Sequence, residues 1–155
     1  MKGNQKIIDG LNKMLTYELT SVNQYFIHSE MYADWGLTKL YERIKHESED
    51  ERLHAQAIIK RILFLEGIPN AQDLNTMKIG SNVPTMLESD LDLEKEGRVL
   101  LQDLIELCEN EKDYVTREML LGLLKDTEED HILWLEIQLK LIKNLGLENY
   151  LSEQM

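Results

Sequence analysis

The stretch "EDERLHA", residues 49–55, lies in the middle of a run that otherwise reads as one amphipathic helix. Counting down from Leu65 in threes and fours gives Ile62, Ile58, His54, Glu51, Glu47, Ile44 and Leu40. That is one apolar stripe interrupted by two carboxylates and an imidazole. A helix that turns such groups toward its own core needs something there to compensate them.

The same pattern recurs outward from this stretch. On the first helix the stripe runs Ile7, Leu11, Met14, Glu18, Val22, Tyr25. On the third it runs Leu87, Asp90, Glu94, Gly97, Leu101, Leu104, Cys108, and on the fourth Leu121, Leu124, Glu128, His131, Leu135, Gln138, Ile142. Each long helix therefore aims a Glu inward near its middle, and the second and fourth add a His three residues later, on the same face. Nearly equal intervals separate Glu18 from Glu51 and Glu94 from Glu128, so the two halves repeat.

Chain breakers set the limits of these helices. The first spans Gln5 to about Trp35 and closes at Gly36, where a left-handed cap fits. Thr38 is placed to cap a second helix that runs to Glu66, with Gly67 and Pro69 as stop signals. A third begins at Pro84 and reaches about Asn110; a fourth runs from about Asp113 to Asn144 and stops at Gly146; "LENYLSEQM" is left as a short fifth. Two or three residues join the first pair, and likewise the second, so each pair is antiparallel. The 17 residues between Glu66 and Pro84 are long enough, at roughly 3.3 Å each, to climb the ~40 Å of a helix this long. They permit a crossover that leaves the second and third helices parallel, with a loose surface loop as the other reading.

Composition supports one all-α domain over residues 1–155: 43% of residues are hydrophobic, and only two are proline and eight glycine. The net charge of −12 is spread along the chain, which speaks against nucleic acid and for cation attraction or solubility. No stretch has the length and apolarity of a membrane span or a signal peptide, so a cytoplasmic protein without membrane contact is expected. The single cysteine, Cys108, reads as a packed thiol and rules out a CxxC motif.

Four carboxylates converging inside a bundle repel one another and lose hydration, so they must take up protons or hold cations. Two divalent metals balance four carboxylates, and His54 and His131 add one neutral nitrogen each. Oxygen-rich ligation with one His per metal suits iron or manganese. One Glu from each of two helices plus Glu-x-x-His from the other two is the di-iron carboxylate pattern of four-helix bundles.

Over essentially its whole length the chain resembles the bacterioferritin branch of the ferritin superfamily, including "YELTSVNQYFIHSEMY", "RILFLEGIPN", "TEEDHILWLE" and "LGLENYL". The fourth-helix Glu-x-x-His separates that branch from classical ferritins, which usually carry Gln there. The resemblance implies a ferritin-like four-helix bundle with a long crossover and a short fifth helix. It also implies that Glu51 and Glu128 bridge two irons, Glu18 and Glu94 are terminal carboxylates, and His54 and His131 serve one iron each. Tyr25 would lie beside the site, where a phenol can bond a ligand or give up an electron; an ordinary core tyrosine is the alternative. His46 and Asp50, turned away from the Glu51 face, are candidates for an inner-surface iron or electron-transfer site, with solvated helix surface the stronger reading.

One position departs from the pattern. Bacterioferritins bind haem between subunits through a Met two residues before the second-helix His, and this chain has Arg52 there. A guanidinium cannot replace a thioether on haem iron, so a homo-oligomer is expected to lack haem b, while assembly with a Met-bearing, haem-binding subunit stays open. The function so implied is iron storage by a ferroxidase: Fe(II) oxidised by dioxygen or hydrogen peroxide and stored in a shell of 24 subunits, with a reductase or ferredoxin for release. A di-iron redox enzyme acting on peroxide or an organic substrate, or a partner subunit of a mixed shell, are the alternatives.

Overall fold

The computed structural model describes residues 1–155 and contains helices and no β-strand. Helix α1 spans Gln5–Asp34, α2 Thr38–Phe64 and α3 Val83–Asn110. The expected fourth helix is a continuous rod in three parts: α4 over Tyr114–Asp126, a π-helical segment over Thr127–Ile132, and α5 over Leu133–Leu145. A short α6, Leu147–Ser152, ends the chain.

Local chemistry sets the boundaries, with some differences from the sequence reading. The Asn4 side chain accepts from Lys6 N at 2.8 Å and starts α1. Thr38 is the first helical residue of α2 rather than its cap; Leu37 holds the cap position and offers no side-chain acceptor. A reciprocal capping box between Asn82 and Thr85 starts α3, with Pro84 in the first turn where its missing N–H costs nothing. The left-handed residue that ends α2 is Glu66, φ 61°, and not Gly67; Gly36 takes positive φ as expected, and Gly146 also has positive φ.

Cross-helix contacts define the topology. Gly3 N bonds Leu65 O, and Ser48 Oγ bonds Val22 O, so α1 and α2 are antiparallel. Tyr17 Oη bonds Leu93 O, and Gln24 bonds Asp90, so α3 also opposes α1. Arg61 meets Asp113 while Arg43 meets Asp130, so the fourth rod opposes α2. The crossover is no loose loop. Its backbone N–H groups at Asn70, Asn75, Lys78 and Gly80 donate in turn to Asn12, Thr20, Gln24 and His28, climbing α1 from its first third to its last. It therefore delivers α3 to the end of the bundle where α2 began, and α2 and α3 run parallel. The all-α bundle with a long crossover and a short C-terminal helix is the observed fold.

The apolar core divides into two clusters, one around Leu11, Met14, Ile58 and Leu104, the other around Tyr32, Leu40, Met86 and Leu135. The polar stripe residues lie between them, at mid-height. At that level Gly97 lets the Tyr17 ring press against α3, where any Cβ would collide with it. Tyr17 then spends its hydroxyl proton on the Leu93 carbonyl at 2.7 Å, one residue before Glu94.

Candidate metal centre

Five of the sequence-predicted residues converge. Glu18 from α1, Glu51 and His54 from α2, Glu94 from α3 and His131 from the π segment are all buried. They form two triads whose ligand atoms lie within 4.8 Å of one another: Glu18, Glu51 and His54; and Glu51, Glu94 and His131. Glu51 alone belongs to both. The His54 and His131 rings stack at 6.0 Å between centroids. Each presents Nδ1 to the centre, His54 at 3.3 Å and His131 at 3.0 Å from Glu51. Each turns Nε2 toward a carboxylate outside it, His54 to Asp126 at 3.2 Å and His131 to Glu47 at 2.6 Å. That arrangement leaves Nδ1 as the atom each ring could offer to a cation. The His131–Glu47 contact is short but off the ring N–H direction, so it acts through charge more than through an aligned hydrogen bond.

Protons stand in for cations in this arrangement. Burial and the Glu51 charge push Glu18 well above the ordinary carboxylate range, and the same two causes push Glu94 up to about 8. Glu51 is held well below its usual value: burial works against its charge, but the close approach of the Glu18 carboxyl and of the His131 and His54 imidazoles overcomes that cost. Burial disfavours charge on His131, but Glu47, Glu51 and Glu94 surround it and raise its pKa far above that of a free imidazole. Glu18 Oε2, Glu51 Oε1, Glu94 Oε2 and His54 Nδ1 are nonetheless buried without hydrogen-bond partners, which fits a centre built to hold cations. Three carboxylates and two imidazoles around a shared Glu51 suit two oxygen-preferring divalent ions such as iron or manganese.

Tyr25 is fully buried and donates its phenol proton to Glu94 Oε1 at 2.5 Å, so it fixes that carboxyl from the second layer. Burial and the charges of Glu94 and Asp90 push its phenol up, which keeps the proton on Tyr25.

Glu128, the sixth predicted ligand, does not join the other five. Its side chain is 37% exposed and pairs with Arg98 Nε at 2.6 Å on the rim, away from both triads. The i→i+5 widening of the π segment moves the buried stripe from the expected Leu121, Leu124 and Glu128 to Leu120, Leu123 and Thr127 before rejoining it at His131. His46 is 64% exposed and 3.4 Å from Asp50; Asp50 leans inward, 3.6 Å from His131 Nε2. Arg52 is exposed and pairs with Glu49 at 3.1 Å.

Some residues around the centre were not assigned from sequence. Glu47 stands in the α2 stripe, a signal that was present, and is buried against His131 and Arg43. Asp126 and Asp130 carry no such signal. His28 and Asp90 form a separate buried pair at 2.9 Å. Because His28 Nε2 accepts from Gly80 N, its Nδ1 carries the proton given to Asp90, and the unit locks the crossover to the bundle. Cys108 is buried with its thiol pushed up to about 11 by desolvation, the packed thiol expected. No helix is long and apolar enough to cross a membrane.

Known proteins match this chain along its length. The family model for the ferritin-like domain matches residues 8–145. A "Bacterial ferritin" of Pseudomonas aeruginosa is 53% identical over 155 residues, all of both chains. One from Synechocystis is 51% identical over 155 residues, covering all of this chain and 99% of its own. A "Bacterioferritin" of Brucella melitensis is 43% identical over 150 residues, 97% of this chain and 92% of its own. A bundle with this crossover and paired buried triads, matched at these identities over full length, makes the chain a member of the ferritin-like family, among the bacterial ferritins and bacterioferritins.

Proposed function

We propose that the protein stores iron and loads it by oxidising Fe(II) at the centre formed by Glu18, Glu51, His54, Glu94 and His131. The observation that carries this reading is the sharing of Glu51 between two buried triads, which supports two neighbouring cation positions with Glu51 common to both. Two neighbouring Fe(II) ions supply two electrons together, enough to reduce dioxygen to hydrogen peroxide or hydrogen peroxide to water. The chain's own part is to bind and orient. Glu18 and Glu94 release their protons as the substrate ions enter, His131 gives up its imidazolium charge, and Tyr25 holds the Glu94 carboxyl in place.

The oxidised iron passes to a mineral inside a shell of like subunits. The exposed apolar residues Phe26, Leu63, Phe64 and Ile68 offer surface that such assembly can cover. With Arg52 paired to Glu49 at the position where the family's haem-binding members carry Met, the homo-oligomer forms without haem. Aerobic oxidation of Fe(II), followed by the near-ultraviolet absorbance of ferric product, tests the centre. Glu18→Ala and His131→Ala should each remove the fast phase, and unchanged kinetics in both would overturn the assignment. Size exclusion giving a single-subunit particle would overturn storage and favour a di-iron redox enzyme. Haem absorbance at one per two subunits in the purified homo-oligomer would overturn the haem-free reading.

A further inference from the structure

Beside the dinuclear centre lies a second group of acids. Glu47 and Asp50 of α2 and Asp130 of the π segment bring carboxylate oxygens within 4.8 Å of one another and of His131 Nε2. Glu47 is 2% exposed, and its Oε2 has no hydrogen-bond partner although it faces this group. What occupies the group is part of the chain. Arg43 splits its guanidinium between the two segments, Nε to Glu47 Oε1 at 2.6 Å and Nη2 to Asp130 Oδ1 at 2.7 Å. Its outer face rests on the Trp134 ring, 4.7 Å from the centroid.

A surface arginine pair has no need of a buried carboxylate, and a buried carboxylate has no need of a partner one-quarter exposed. The fork engages one oxygen of each acid instead of closing on both oxygens of one, the usual bidentate mode. It neutralises the group while leaving Glu47 Oε2 without an aligned hydrogen bond, 2.6 Å from His131 Nε2. Three carboxylates of this kind match a hard divalent ion.

Building on the dinuclear reading above, we propose that the Arg43 guanidinium is a built-in cation standing in a third cation position. The native chain then holds two divalent ions per subunit, and a third ion enters at Glu47, Asp50 and Asp130 only when Arg43 is removed. Arg43 thus sets the metal capacity of the centre and keeps the acids next to His131 from drawing ions off it.

The test is Mn(II) binding under equilibrium dialysis, counted by electron paramagnetic resonance, with the ions located by anomalous diffraction from crystals of the assembled protein. Native protein should hold two Mn(II) per subunit. Arg43→Gln should hold three, with the added ion among the Glu47, Asp50 and Asp130 carboxylates. Arg43→Met, which keeps the packing on Trp134, should also give three, and Arg43→Lys, which keeps the charge, two. A count of two in both neutral variants would overturn the proposal, as would a native protein already holding Mn(II) at these acids with Arg43 in place. Native protein with no Mn(II) at Glu51 would instead overturn the dinuclear reading itself.

Discussion

The chain carries two copies of Glu-x-x-His, and they end differently. In α2, Glu51 and His54 sit on regular helix, both buried, both facing the same point. In the fourth rod, His131 is buried but Glu128 stands on the rim with Arg98. Residues three apart share a face only while the helix keeps its α-helical turn. A π segment breaks that rule locally. A ligand motif therefore reports chemistry only together with the helix geometry beneath it.

Removing the shared carboxylate should have the largest effect. Glu51→Ala takes a ligand from both triads at once, so Mn(II) affinity and Fe(II) oxidation should fall more than about 100-fold, beyond the range for outer-layer residues. Retention of one tight ion by that variant would show that the triads are independent.

The contrast between the two motifs can itself be reversed. Deleting Thr127 removes one residue from the π segment and brings Glu128 into the buried place that Thr127 now fills, in α-helical register with His131. Glu128→Gln should then cost more than about 10-fold in Mn(II) affinity, as expected for a ligand or its immediate support. If its effect in the deletion background matches its effect in the native chain, the register account fails.

A pH dependence follows from the protons that the centre stores. Glu94, raised to about 8, and Glu18, raised well above the usual carboxylate range by burial and Glu51, keep protons in the folded metal-free chain that the unfolded chain has already lost. His131 acts in the same sense above the ordinary imidazole value. The folded state binds more protons than the unfolded state in this window, so metal-free stability falls as pH rises from about 5 to 8. The lowered Glu51 contributes the opposite slope only below the usual carboxylate value. Mn(II) affinity rises over the same window, because ions and protons compete. Thermal melts with and without Mn(II) should diverge as pH increases; a constant gap would contradict the stored protons.

Two glycines give a smaller contrast. Gly97→Ala drives a Cβ into Tyr17 and should destabilise by about 1–3 kcal/mol, while Gly122→Ala meets nothing and should stabilise by up to ~1 kcal/mol. Chemical denaturation measures both. The smallest effect belongs to Glu128→Gln in the native chain. It breaks a partly exposed pair worth less than about 1 kcal/mol, and Fe(II) oxidation should stay within about fivefold. A large loss would mean that Glu128 turns inward when ions bind.

Periodicity alone carried the four-rod architecture, because a stripe at helical spacing has one stable use, burial against other stripes. The long crossover was legible as a length, and its course along α1 was not. It depends on Asn12, Thr20, Gln24 and His28 offering acceptors in order, a match between distant segments. Glu18, Glu51, His54, Glu94 and His131 were legible because charge in an apolar stripe is costly and so marks a use. Asp126 and Asp130 were not, since an acid on a half-exposed face looks like any solvated one.

By itself the sequence determined the helices, the buried carboxylates and the need for cations among them, all consequences of spacing and of the energy of burying charge. Only the tertiary structure decided that Glu128 stands outside and that Arg43 reaches across to Asp130. Both depend on one widened turn at Thr127–Ile132. Its cost and its gain lie in contacts between helices, which no local pattern records.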